Sequence, residues 1–566
     1  MRTMTLRDEI AQLVFIPFSG ASPNTRSRAY EKFLRLVRTS KVGGLILINV
    51  TSGHLVAKAE PYALATFLNR MQRLAPVPLL VGADFERGAS MRVNGTTVFP
   101  HAMAFGAAGD PEFSRYEGLI TAREARALGI QWVYYPVADV NNNPDNPIIN
   151  IRSYGENPQQ VAAQVAAFIE GAHSDPRNLV LTTAKHFPGH GDTATDTHMN
   201  LATIPADRDR LDHLELVPFR AAIAAGVDSI MTAHIAVPAL APADLPATLS
   251  PAILTGLLRK DLGFHGLVIT DALDMGGVAK GFSTGEACVR ALEAGADTLL
   301  MPTDPDEAIR AVAAAVVGGR LSRQRIQESV IKILSAKERL GLDRKRFVDT
   351  EAIGDLVDPP EAEEQAQQIA DRAVTLVRNP TNLLPLADPD TTCFVVMPES
   401  RYSSEGIVFG QEVRKRGRAT LVSFDPSLSR QDIDDAVHRL PTTCTAYVAA
   451  AFASVAANRG SVGLGGELPF AIDSIAALGK PVALVALGNP YLLRSFPQTA
   501  AYMATFSSVP PSEIAAVKAL WGEIAISGHL PVSIPPFANV GDGIQTQPNR
   551  TTPGAAVPTT PPRRGQ

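Results

Sequence analysis

Over roughly the first 300 residues, short apolar runs alternate with longer stretches whose apolar positions recur every three or four residues. The runs read QLVFIPF (12–18), GLILI (44–48), PLLVGAD (78–84), QWVYYPV (131–137), VLTTAKHF (180–187), DSIMTAHI (228–235), GLVITDA (266–272) and ADTLLMP (296–302). Within a run the apolar residues are nearly continuous, the mark of a strand buried on both faces, as in a parallel sheet covered by helices. The stretches between them, such as NPQQVAAQVAAFIEGAH and GEACVRALEAGA, have Ala-rich helical spacing and end at glycine or a polar cap. Eight βα units predict an α/β fold, a (β/α)8 barrel over 1–341, with a doubly wound open sheet as the rival. Polar residues at the C-terminal ends of the runs (Asp84, Lys185, His186, His234 and Asp271) favour the barrel. There these ends converge on one face, which gives each costly strand-end charge a partner.

After a helix ending at Gly341, a charged stretch over 342–360 reads as a linker. Beyond it TTCFVVMP, RATLVSF, TAYVAAAF, PVALVALGNP and AAYMATF again alternate with helical segments, predicting a smaller open-sheet α/β unit over 361–540. The tail, 541–566, is rich in Pro, Thr and Gly and is expected to be disordered.

Composition narrows the function. Charged residues number 57 acidic against 52 basic, without a basic stripe, which argues against a nucleic-acid partner. No run approaches the roughly 20 apolar residues of a membrane span. The first apolar run is too short for a signal segment. A cytoplasmic location follows by default, or a periplasmic or secreted one if a leader was removed. Cys288, Cys393 and Cys444 are too few for a disulfide framework or a thiolate zinc site. Nothing in the pattern specifies an oligomer or calls for a cofactor.

The densest chemistry is KHFPGHGDTATDTH (185–198). His186 and His190 have HxxxH spacing, but Pro188 and Gly189 break the helix that would stack the two rings, and no second motif completes a ligand set. A loop metal site built on His190, Asp192, Asp196 and His198 is the lesser reading. For acid–base work, Asp196 and His198 stand two apart, so an extended segment puts them on one side, where a carboxylate fixes the imidazole tautomer. Asp271, at a strand end, supplies a nucleophile. Asp274 is the competitor, expected instead to cap a helix or turn. The glycine-rich GSVGLGGELP (460–469) lacks phosphate-loop spacing and reads as a surface loop.

KHFPGHGDTATDTH followed by GFHGLVITDALDMGG resembles glycoside hydrolase family 3, in particular its β-N-acetylglucosaminidase branch. Further similar stretches are VGADFERGASMRV, FPHAMAFGA, DVNNNPDNPIINIRSYGENP and MTAHIAVPAL. The resemblance implies a bacterial-type retaining exo-β-N-acetylhexosaminidase acting on oligosaccharides or cell-wall fragments, as in peptidoglycan recycling. The alternatives are a β-glucosidase or a phosphorylase of the same family. It implies Asp271 as nucleophile, His198 as acid and base with Asp196 as its partner, and Asp84, Arg92, Arg152, Lys185 and His186 as ligands of the terminal sugar, with no metal. One departure is DFERGASMR, where many glucosaminidases carry an EGGR-like run. All these residues precede 341, so a chain cut near residue 360 is expected to keep activity on small substrates.

Overall fold

The structure, a computed structural model, describes residues 3–20, 24–52, 55–455 and 460–548. All eight apolar runs form strands. They are β1 (Val14–Phe18), β2 (Gly44–Leu47), β3 (Leu80–Ala83), β4 (Trp132–Val133), β5 (Leu181–Phe187), β6 (Ser229–Thr232), β7 (Leu267–Ile269) and β8 (Leu299–Leu300). Every pairing is parallel, and the order β7-β6-β5-β4-β3-β2-β1-β8 follows the chain except that β8 lies beside β1. Closure comes between β7 and β8, where Ile269 bridges Thr298 and the Thr298 amide donates to Val268 O (3.1 Å). A doubly wound sheet would have two free edges. Here the ends meet, and the barrel reading holds.

Large rings fill the barrel. Trp132 lies edge-on to Phe15 with centroids 5.4 Å apart, and its Nε1 donates to both Thr183 Oγ1 and Ser229 Oγ at 2.9 Å. The strand glycines are what let rings in: a Cβ on Gly44 would lie 2.2 Å from the Phe15 ring, and one on Gly82 would lie 2.3 Å from the Tyr134 hydroxyl.

The second unit is a six-stranded sheet of β9 (Thr375–Arg378), β10 (Thr392–Met397), β11 (Thr420–Ser423), β12 (Ala446–Ala453), β13 (Val482–Gly488) and β14 (Ala501–Ala504), ordered β9-β14-β13-β12-β10-β11. The sequence pattern anticipates all but β9, the antiparallel edge strand. It follows the helix Pro360–Ala373 almost without a break, so no turn signal announces it. Cys393 and Cys444 are bonded to each other with the sulfurs 1.95 Å apart, a single bridge that the scatter of cysteines does not suggest. The disorder expected for 541–566 lies outside the described residues from 549 onward.

The segment over 342–360 is strapped to the barrel rather than hanging between units. Asn69 exchanges two 2.9 Å hydrogen bonds with the Val348 backbone, and the Asp358 amide donates to Glu124. The helix Pro360–Ala373 buries Ala362, Ala366 and Ile369 in the barrel core and Ala373 in the second core. In turn Met103, Ala104, Ala107 and Ile151 of the first unit pack into the second core. Polar ties cross the same junction: Asn141 Nδ2 donates to Tyr491 Oη (2.9 Å), and Ser533 Oγ to Glu156 Oε1 (2.6 Å). A chain ending at residue 360 lays this apolar junction open and is expected to melt well below the parent or to aggregate. Thermal melts followed by circular dichroism check this. An unchanged melting temperature would show that the barrel stands alone.

Candidate active site

The C-terminal ends of β3 and β5 carry several closely spaced charges at the barrel mouth. Lys185, on β5, is 2% exposed. An ammonium taken out of water needs opposite charge close by. It has two carboxylates, Asp84 Oδ1 at 2.9 Å and Glu86 Oε1 at 2.7 Å. Arg92 Nη2 holds the other Asp84 oxygen (3.0 Å), while Arg152 grips Glu86 with two bonds, Nε to Oε2 (2.7 Å) and Nη2 to Oε1 (2.8 Å). Burial pushes both carboxyls up, but the cations outweigh it: Lys185 and then Arg92 hold Asp84 below its ordinary value, and Arg152 and Lys185 hold Glu86 well below. Burial likewise lowers the Lys185 ammonium, and the two carboxylates more than restore it.

His186 faces a different anion. Its Nδ1 lies 2.7 Å from Asp139 Oδ2, while Asp139 Oδ1 accepts the amides of His186 (3.1 Å) and His190 (2.7 Å). His186 Nε2 lies 3.4 Å from Arg152 Nη2. This joins Asp139, His186, Arg152, Glu86, Lys185, Asp84 and Arg92 into one chain of contacts. All five residues expected to hold a sugar lie in it.

The loop after β5 turns back over the mouth because its glycines permit close approach. A Cβ on Gly191 would sit 1.6 Å from Val140 O, and Gly189 has φ +125° with Glu215 against it. His190 is a clamp within the loop: Nδ1 meets Thr193 Oγ1 (2.9 Å), Nε2 meets Thr197 Oγ1 (3.0 Å), and burial pushes its pKa down to about 4. Asp192 pairs instead with Arg210, at 2.6 Å. Among the described residues no three His, Cys, Asp or Glu side chains are grouped to hold a metal.

Asp196 Oδ1 accepts both the His198 amide (2.9 Å) and, at 2.8 Å, His198 Nδ1. His198 Nε2 meets no partner among the described residues, and the side chain is 29% exposed. The loop carrying this pair docks directly on the loop after β7. Gly276 N donates to His198 O and Gly277 N to Thr197 O, each at 3.1 Å. A Cβ on Gly276 would meet Met199 O at 2.5 Å, so the MGG of ALDMGG is what admits the loop carrying His198. Asp271 sits at the start of that same β7 loop, with Oδ1 accepting the Ala272 amide (2.8 Å). Burial raises its carboxyl, but the imidazoles of His234 and His186, the Ala272 amide and His198 outweigh this, and Asp271 stays below its ordinary value. It is therefore a carboxylate at neutral pH, as a nucleophile must be. Asp274 does not cap: it is exposed, and the short helix Gly276–Ala279 has Met275 at its N-cap without a side-chain bond.

Glu86, Asp139 and His234 are the polar groups that sequence reasoning leaves without a role. Glu86 stands two residues after Asp84, hence on the same side of an extended segment, and Asp139 ends YYPVAD much as Asp84 ends VGAD. Buried His234 braces the neighbour of Asp271, its Nε2 2.9 Å from Ala272 O.

The Glycosyl hydrolase family 3 N terminal domain model matches residues 5–336. Among solved structures, a glycoside hydrolase family 3 beta-N-acetylglucosaminidase from Paenibacillus sp. str. FPU-7 superposes with a TM-score of 0.83 at 33% identity, covering 94% of this chain and 99% of that one. A beta-N-acetylglucosaminidase/beta-glucosidase of Cellulomonas fimi is 29% identical over 88% of this chain and 89% of its own. Beta-hexosaminidase A of Pseudoalteromonas piscicida is 30% identical over 71% of each chain.

The charge network predicts its own pH response. Glu86 has a folded-state pKa well below its ordinary value of 4.5. Its stabilising contribution is therefore complete above that value and is lost as pH falls toward the folded one. Glu86→Gln leaves Lys185 and Arg152 short of a charge and is expected to cost about 3–5 kcal/mol near neutral pH. The gap to the parent should narrow on acidification below pH 4.5. Urea denaturation at a series of pH values reads this, and a gap independent of pH would remove Glu86 from the network's energetics.

Proposed function

The chain belongs to glycoside hydrolase family 3, and from that premise we propose that it is a retaining exo-β-N-acetylhexosaminidase, releasing terminal β-linked N-acetylhexosamine from oligosaccharides or cell-wall fragments. One observation carries this reading: an Asp196–His198 pair with Nε2 unengaged, docked by its backbone on the loop of a half-buried, ionised Asp271. The names of the relatives at 29–33% identity support the choice of sugar.

In the first step an Asp271 oxygen attacks the anomeric carbon while the glycosidic bond breaks and His198 Nε2–H protonates the departing oxygen. Asp196 accepts Nδ1–H, so the proton transferred is the Nε2 proton of the doubly protonated ring, and the ring left behind is the neutral Nδ1–H form. In the second step neutral His198 takes a proton from water, the resulting oxygen attacks the anomeric carbon, and Asp271 is released. The terminal sugar is held by Asp84, Arg92, Arg152, Lys185 and His186. Carboxylates accept hydroxyl protons there, and Lys and Arg donate in directions fixed by their mutual pairing. Both Asp84 oxygens are already engaged, so sugar hydroxyls enter there by exchanging with bonds that exist.

Asp271→Asn is expected to abolish nearly all turnover while sugar affinity is largely kept, because the nucleophile acts in the transition state. A 5-fluoro glycoside should label Asp271 in the parent protein, and peptide mapping reads the site. Labelling of Asp274 would sink the assignment.

His198→Ala should lose about 10²–10⁴-fold on a disaccharide, whose leaving alcohol needs a proton, yet be glycosylated readily by a dinitrophenyl glycoside. The stalled intermediate then appears as a burst. Equal losses on both leaving groups would make His198 a structural residue. Nitrophenyl glycosides of glucose and of N-acetylglucosamine, with and without phosphate, separate the hexosaminidase reading from a β-glucosidase or a phosphorylase.

A further inference from the structure

The barrel also has a cavity at the end opposite its charge network. Gln131, the residue before β4, and Asn178, shortly before β5, both line it, so it lies at the N-terminal ends of the strands. The last turn of the helix Pro111–Leu128 forms one wall, and residues between Leu342 and Leu356 form the other. Its volume is about 270 Å³, room for a compact small molecule. The glycosidase chemistry makes no use of it.

Four cations line this space, Arg126, Arg177, Lys345 and Arg346, against one carboxylate, Asp349. Arg177 is already held by Asp175, with Nε and Nη2 each 3.0 Å from a carboxylate oxygen. Asp349 Oδ1 accepts the Glu351 amide (3.0 Å). The other three cations form no ion pair among the described residues. Each of the two guanidinium groups has one protein acceptor there, a backbone carbonyl: Leu340 O for Arg126 (3.3 Å) and Ala75 O for Arg346 (3.2 Å).

Lys345 is exposed and would be solvated wherever it stood. Arg126 is different. It is half-buried, and its Nη1 is shut off from water without a partner. Burial holds its pKa below the ordinary value, and no carboxylate opposes this. A charged donor left unanswered costs stability. A slight turn of the planar group toward the cavity would give it an acceptor there. The rest of the wall is apolar. Phe347 lines it beside Val348 and Leu356, its ring braced by Arg73 and Arg346, whose guanidinium carbons lie 5.8 and 5.6 Å from the ring centroid.

We propose that this cavity is a binding site for a phosphorylated monosaccharide, remote from the catalytic mouth. Two guanidinium forks and an ammonium suit the three terminal oxygens of a phosphate dianion better than the two of a single carboxylate. The Phe347 side of the wall takes the carbon face of a compact sugar ring. Such a ligand bridges the barrel floor and the 342–356 segment, which leads into the helix Pro360–Ala373 shared by the two cores. Binding therefore stabilises the junction of the two units.

Calorimetric titration and thermal melts of the full chain with glucose 6-phosphate, inorganic phosphate and sulfate test the site. Glucose 6-phosphate should bind more tightly than inorganic phosphate and raise the melting temperature as its concentration grows. In Arg126→Gln and in Arg346→Gln its Kd should weaken about 10-fold or more. Lys345→Gln changes an exposed side chain, should weaken binding in the same direction, and keeps the test decisive where Arg126→Gln fails to fold. An affinity untouched by all three substitutions places the anion elsewhere and overturns the site. So does a rise in melting temperature that sulfate matches in the parent and the variants alike, which marks a general salt effect. Inorganic phosphate binding as tightly as the sugar phosphate, and weakened by the same substitutions, overturns the sugar as occupant in favour of the free anion. No binding of any of the three by the parent overturns the site outright. Because binding alone is read, a failure of the glycosidase reading leaves this test intact.

Discussion

The ammonium of Lys185, sealed between Asp84 and Glu86, is the interaction on which the mouth of this barrel depends. A charge this deep is tolerable only as a member of a complete set, because in a low-dielectric interior an uncompensated ion is far more costly than a missing hydrogen bond. The set extends outward accordingly. Glu86 needs Arg152, Arg152 borders His186, and His186 needs Asp139, whose second oxygen holds the His190 amide and so the root of the following loop. Strand ends, loop path and imidazole orientation are thus set by one electrostatic requirement. The same network holds its hydrogen-bond donors and acceptors in fixed directions, which is the form of preorganisation that binding and catalysis both use.

Catalytic geometry in this reading is a matter of backbone. His198 and Asp271 lie 73 positions apart in the chain, and what joins them is a pair of amide–carbonyl bonds between their loops, admitted by Gly276 and Gly277. The proposed acid–base residue, His198, belongs to the barrel unit itself. The second unit contributes from outside: its Tyr491 takes a bond from Asn141, its Asn489 lies 3.4 Å from Asn150, and Gly460 of its glycine-rich loop would place a Cβ 3.8 Å from Met199 Sδ. Asn150 and Ile151 immediately precede Arg152, so the second core supports the segment that positions this guanidinium. This is why the two units share apolar residues instead of being joined by a free linker.

Much of this was legible in the chain. Continuous apolar runs separated by helical spacing are local signals, and they located all eight barrel strands and five of the six strands of the second sheet. Charges ending apolar runs marked Asp84, Lys185, His186 and Asp271 as residues that must meet partners. The two-residue spacing of Asp196 and His198 in a loop with no helix foretold their bond. These inferences succeed because each rests on a pattern a few residues long whose energetic meaning does not depend on the rest of the molecule. What tertiary structure alone decided is everything that depends on non-local pairing. It closed the barrel through Ile269 and Thr298, recruited Glu86 and Asp139 as counter-charges, bonded Cys393 to Cys444, and added the antiparallel strand Thr375–Arg378. A side chain's charge is a property of the sequence. Whether that charge is answered depends on distances between segments far apart along the chain, and those exist only after folding.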